Sequence, residues 1–142
     1  MSPARPKPDL VLNGQRVYTT TEASYLSGLS YRQIDYADRT KTVPASIARA
    51  TGSGTMRLYS AHDIAKLRLL GLVSDANFIP RWARTAVVLL DDARFEDLAD
   101  QVIVIDHRGR PQRLTLDEFT ERQPFYRRVT TVVPCAQLVR GL

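Results

Sequence analysis

A chain of 142 residues, 44% hydrophobic and 25% charged, lies in the globular range and has room for one domain or two very small ones. Its longest apolar runs, AVVLL and VIVI, are far too short to cross a bilayer, and a single cysteine, Cys135, excludes an internal disulfide or a multi-cysteine zinc site within one chain. The net charge of +5 arises wholly in residues 1–70, with ten Lys/Arg against five Asp/Glu, while residues 71–142 carry ten of each; this predicts a polyanion-facing half and a neutral half with another role.

Residues 1–17 are expected to form a flexible basic tail, Pro-rich in MSPARPKPDL and without the apolar stretch of a signal peptide, which predicts a cytoplasmic protein. QRVYTTTEASYLSGLS then reads as a short extended piece entering a helix. Thr19 and Glu22 have the S/T-x-x-E spacing of a capping box, Ala23 and Leu26 make an apolar face, and Gly28 permits a sharp exit. Ser30 and Gln33 form a second box, so a new helix begins two residues after that glycine. Two short helices joined by a Gly-containing turn are the signature of a helix-turn-helix.

In the second helix, about residues 31–39, Ile34 and Ala37 point to the core and Arg32, Gln33, Tyr36 and Arg39 point outward. Arg and Gln can make paired hydrogen bonds to base edges, and Tyr and Arg reach phosphate oxygens. Asp35 and Asp38 on the same helix lower its attraction for DNA, so a solvated helix face stands as the rival reading.

VPASIARATGSGTMRLYS reads as a hairpin, with Arg49 on one arm and Arg57 and Tyr59 on the other. Its glycines match neither GxxxxGK[ST] nor GxGxxG, so a nucleotide loop is not expected. Ser60 and Asp63 start a third helix in which Ile64, Ala65 and Leu67 face inward and Lys66 and Arg68 do not. His62 is expected to be exposed, and with no second His or Cys at ligand spacing no metal is predicted. Asn77 then caps, and Pro80 opens, a helix RWARTAVVLLDDA. Its stripe of Trp82, Ala86, Leu89 and Leu90 suits either packing within the chain or a dimer seam, and is too short for a coiled coil.

The neutral half reads as a small α/β module: strand VIVID, turn HRGRP, strand QRLTL, a helix capped by Thr115 and Glu118, a third strand in YRRVTTVVPC and a closing helix AQLVRGL. About 45 residues make a poor isolated core, so it is expected to lean on the first half or on a second copy. Asp106, His107, Asp117 and Glu118 are the candidates for catalysis. They sit at a turn and a helix start, where solvation and the helix dipole explain them. No nucleophile is set near a histidine, so neither enzyme activity nor a cofactor is expected. Trp82, Phe95, Phe119, Phe125 and Tyr126 are scattered core aromatics, and Cys135 is a buried thiol.

Over residues 18–73 the order of parts resembles the MerR family of winged helix-turn-helix regulators. The resemblance is carried by YTTTEASYLSGLS, by YRQIDYADRTKTVPAS and by GSGTMRLYSAHDIAKLRLL, and most specifically by RLYS-x-x-D after a glycine-containing wing. The variant resembles a subgroup of regulators from GC-rich bacteria and their phages. It implies that Arg32, Gln33 and Tyr36 lie at major-groove or adjacent backbone contacts and that Arg57 and Tyr59 lie on flanking phosphates. The DNA-facing set also includes Arg39, Lys41 and Arg49. Many members carry Arg in place of Asp35 and a second aromatic in place of Ala37, which implies a differently specified base readout. Thiol-based metal sensing is not implied, since no cysteine lies around the linker helix.

The expected fold is α+β: a winged helix-turn-helix at 18–74, a linker or dimerisation helix at 75–98, and an α/β module at 99–142. The expected function is that of a sequence-specific double-stranded DNA-binding transcriptional regulator, homodimeric, with its recognition helix in the major groove. The module would serve dimerisation, contact with RNA polymerase or another protein, or ligand sensing; no membrane contact is expected. Two alternatives stand beside this. One is an architectural factor of the excisionase type. The other is a protein-interaction adaptor or antitoxin on a winged scaffold, supported by Asp35 and Asp38.

Overall fold

The computed structural model describes residues 9–48, 56–74, 79–122 and 129–142. Of the tail expected over 1–17, residues 1–8 lie outside the described residues and 11–16 form a strand pair instead of a flexible tail; Arg49 with the glycine-rich tip, the Asn77 cap, Phe125 and Tyr126 also lie outside the described residues. Within them helix and sheet are mixed, compatible with an α+β fold.

Local chemistry sets the first elements. Strands β1 (Val11–Leu12) and β2 (Gln15–Arg16) are joined by Asn13 and Gly14, both left-handed with φ of 51° and 78°, the backbone that an Asn-Gly hairpin turn requires. β3 (Tyr18–Thr19) leads into α1 (Thr20–Ser27) through the predicted box: the Glu22 amide donates to Thr19 Oγ1 and the Thr19 amide to Glu22 Oε1, each at 3.2 Å. Gly28, at φ 75°, ends α1. α2 (Tyr31–Arg39) starts with a second box, where the Gln33 amide donates to Ser30 Oγ at 3.2 Å and the Ser30 amide to Gln33 Oε1 at 2.9 Å. Each such cap contributes about 1 kcal/mol. β4 (Leu58–Tyr59) pairs antiparallel with β3, and Leu58 also bridges Ala48.

The core is built around α3 (Ala61–Val73), which opens with a third box between Ser60 and Asp63. Ile64, Ala65, Leu67, Leu69 and Leu70 are all fully enclosed, because α3 is flanked by α1, by α4 (Arg81–Val88) and by α6 (Ala136–Val139). A helix apolar on several sides belongs inside a protein, and each enclosed leucine contributes about 1.5–3 kcal/mol. Gly71 allows the closest approach: a Cβ there would run into the carbonyl oxygen of Ser27 on α1.

Three side chains of α3 depart from expectation. Lys66 ion-pairs with Asp91, and His62 Nε2 lies 2.6 Å from the Leu90 carbonyl oxygen. Arg68 donates to the carbonyls of Leu26 (3.0 Å), Leu138 (3.2 Å) and Arg140 (2.6 Å). All three fasten α3 to its neighbours; none projects freely into solvent.

A 3-10 turn (Phe95–Asp100) leads into β5 (Gln101–Asp106), the middle strand of an antiparallel sheet ordered β6 (Pro111–Thr115), β5, β7 (Val129–Pro134). Strand alternation sorts its faces. Ile103, Ile105 and Val133 join the helical core, while Val102, Val104 and Leu114 lie on the other face against Phe119 of α5 (Leu116–Arg122). Leu98, Ile103, Cys135 and Leu138 share one core cluster with Ile34, Ile64 and Leu67. The second half thus finds its missing core on the first. In the same way the stripe on α4 is covered within the chain: Ala86 and Leu90 are fully enclosed, and Trp82 and Leu89 are half-buried.

Candidate nucleic-acid interface

The capping box at Ser30 fixes where α2 starts, and Ile34 and Ala37, both enclosed, fix which way it turns. Arg32, Tyr36 and Arg39 are left exposed on the opposite side, followed by exposed Lys41, which takes a left-handed φ of 57° just past the helix end. Gln33 is half-buried, with its carbonyl oxygen committed to the cap.

The arm that follows α2 is tied down from both sides. Asp38 Oδ1 accepts from the Ala45 amide at 3.1 Å, and Asp63 Oδ2 accepts from the Ser46 amide at 3.0 Å. Residues 47–48 then run antiparallel to Leu58, with the Leu58 amide donating to the Ala48 carbonyl at 2.8 Å. Arg49 and the tip between these arms lie outside the described residues.

Tyr59 does not stand beside α2's exposed side chains, and Arg57 meets them only through the Asp35 carboxylate that it shares with Arg39. Tyr59 is wholly enclosed, paired across the strands with Tyr18; its ring is part of the core and does not meet solvent. Arg57 is 19% exposed and lies between two carboxylates, with Nη2 2.5 Å from Asp35 Oδ1 and Nε 3.3 Å from Asp38 Oδ2. Asp35 also receives Arg39 Nε at 2.9 Å, one helical turn on. The Arg57 hydrogen bond, helped by the Arg39 charge, holds the Asp35 carboxyl below its ordinary range. The two acids of α2 therefore fasten the returning arm to the helix.

One neighbour of this surface had no counterpart in the residue pattern. Arg84 of α4 donates from Nη2 to Tyr36 Oη at 3.1 Å. Arg81 lies one turn earlier on the same exposed side of α4, a helix whose sequence, RWARTAVV, contains no acid. The apolar stripe of that helix marks its inner face, and the spacing of Arg81 and Arg84 marks the outer one. Among the described residues no three His, Cys, Asp or Glu side chains are grouped to hold a metal ion, and no helix is long and apolar enough to cross a membrane.

No family model matches the chain. It is similar over 89 residues, at 37% identity, to proteins named as uncharacterized HTH-type transcriptional regulators in Mycobacterium bovis and Mycobacterium tuberculosis. The alignment covers 63% of this chain and 40% of each relative. The chain thus spans about two fifths of the length of the curated relatives it matches.

Proposed function

We propose that the protein is a sequence-specific double-stranded DNA-binding transcriptional regulator of the MerR-like winged helix-turn-helix type, acting as a homodimer. The observation that carries this reading is the outer face of α2, where Arg32, Tyr36, Arg39 and Lys41 are exposed while both acids of the helix are held by Arg57. The names of the mycobacterial relatives support the same reading. In it, α2 enters the major groove with Arg32, near its N-terminal end, reaching base edges, and the arms at 47–48 and 57–58 carry the wing along the flanking backbone. Residues 18–74 make up the DNA-binding part and 75–98 the linker. Residues 99–142 provide the surface for a second copy, RNA polymerase or another protein.

The adaptor reading drew its support from Asp35 and Asp38. Both carboxylates are ion-paired with Arg57, which weakens that support and favours the DNA reading. The test is selection of the purified protein against a random duplex pool at two salt concentrations, with sequencing of what is retained. An enriched palindromic motif whose affinity falls steeply with salt is expected. Enrichment of tandem direct repeats favours the architectural role, and no enrichment at either salt rejects DNA readout.

A further inference from the structure

The hydroxyl of Tyr36 and the guanidinium of Arg84 come from helices 48 positions apart in sequence, yet they meet at 3.1 Å on an exposed surface. Both groups keep donors in reserve. Arg84 has five N–H groups and gives one to Tyr36, and the phenol, as acceptor, retains its own O–H. A hydroxyl that accepts from a cation becomes a better donor in turn. Each helix carries a further exposed cation one turn away. Arg32 lies one turn before Tyr36 on α2, and Arg81 one turn before Arg84 on α4. Neither makes an ion pair among the described residues, and both are exposed. The nearest acid in sequence, Asp35, is held by Arg57 and Arg39. A hydroxyl donor and a fork of N–H donors converging beside two further guanidiniums suit a tetrahedral oxyanion, and suit it best as one of a regular series.

We infer that Tyr36 and Arg84 together form a clamp for a backbone phosphate of DNA, and that the outer face of α4, with Arg81, extends the interface beyond α2. This rests on the DNA-binding reading above and adds to it a second helix that fixes register without reading sequence. In the clamp, one phosphate oxygen accepts from the Tyr36 O–H and another from Arg84 N–H groups, and the Arg84–Tyr36 bond holds the two donors at the required separation.

The test is fluorescence anisotropy of the full chain on a short mixed-sequence duplex over a range of salt, for wild type, R84A, R84K, Y36F and the double variant R84A/Y36F. Phosphate contact predicts that R84A lowers the slope of log affinity against log salt by about one. R84K keeps the slope but binds several-fold more weakly, because a point charge replaces the fork. Y36F binds more weakly at unchanged slope, and adds little once Arg84 is gone. Because both residues are exposed, all four variants should melt with the wild type, which separates contact from folding. An R84A slope equal to that of wild type, or effects of R84A and Y36F that simply multiply, overturns the clamp. Wild-type protein that fails to bind at the lowest salt overturns the DNA reading itself.

Discussion

Arg57, just before β4, reaches across to Asp35 on α2, Nη2 to Oδ1 at 2.5 Å, while its Nε faces Asp38 at 3.3 Å. One guanidinium is therefore neutralised by two carboxylates of the helix that carries the exposed cations. Its role is to set the angle between arm and helix. Replacing it leaves Asp38, whose side chain is 10% exposed, without a cation. Arg57→Met is expected to cost about 2 kcal/mol of stability, seen as a lower urea midpoint. The salt slope of DNA binding should stay at the wild-type value, because this charge is already spent. A slope that falls by a full unit would place Arg57 on a phosphate instead.

The same contact makes a pH prediction. Asp35 is held below its ordinary pKa chiefly by the Arg57 hydrogen bond; desolvation opposes it, and the charges of Arg39 and Arg57 add to the lowering. A carboxyl depressed in the folded state contributes stability that is complete above its unfolded value, about 4, and that is lost as pH falls through the folded value. The stability gap between wild type and Asp35→Asn should thus be flat from neutral pH down to mildly acid solution. It should close only below the ordinary carboxylate range. Urea titrations at stepped pH measure it, and a gap that closes near neutrality would contradict the pairing.

What the sequence made legible was local. The boxes at Thr19/Glu22, Ser30/Gln33 and Ser60/Asp63 join residues three apart, and each marks a helix start in the structure. The β-branched runs likewise became β5 and β7. Pairings between distant residues leave no such trace. Arg57 and Asp35 are 22 positions apart, Arg84 and Tyr36 48, and Arg68 and the Leu138 carbonyl 70. The family resemblance implies a flanking-phosphate position for Tyr59. Its strand pairing with Tyr18 put it inside, and only the pairing carries that information.

Gln33 shows how one residue serves two readings. Its carbonyl oxygen accepts from the Ser30 amide at 2.9 Å, and a glutamate keeps that acceptor. Gln33→Glu should therefore hold the wild-type urea midpoint within about 0.5 kcal/mol while weakening DNA binding through its charge. Gln33→Ala should lose about 1 kcal/mol of cap and relax base choice at one position of the selected motif. Repeating the pool selection with Gln33→Ala checks this; an unchanged motif confines Gln33 to the cap.

Arg68 gathers the end of α1 and the end of α6 onto α3 through carbonyls of Leu26, Leu138 and Arg140. Helix ends present unpaired carbonyls, so a cation there satisfies acceptors that would otherwise be desolvated. Arg68→Met should cost about 2–3 kcal/mol. Arg68→Lys should recover little of it, since one ammonium does not span the carbonyls that the guanidinium fork reaches. Chemical denaturation of the two variants side by side decides whether shape or charge matters here.

At Gly71 two rules give opposite signs. Alanine in a helix interior is favoured over glycine by about 1 kcal/mol, so propensity alone predicts that Gly71→Ala stabilises α3. The approach of α1 predicts the reverse, because the new Cβ would meet the carbonyl oxygen of Ser27, with Leu29 close behind. Backbone does not swing aside as a flexible side chain does, and overpacking costs about 1–3 kcal/mol or more. The steric effect should win, and Gly71→Ala should lower the urea midpoint, whereas alanine at exposed Leu72, which meets no such backbone, should change it little. A raised midpoint for Gly71→Ala would mean that α1 and α3 do not approach this closely. The turn at Gly28, which joins α1 to α2, would then have to be placed anew relative to the core.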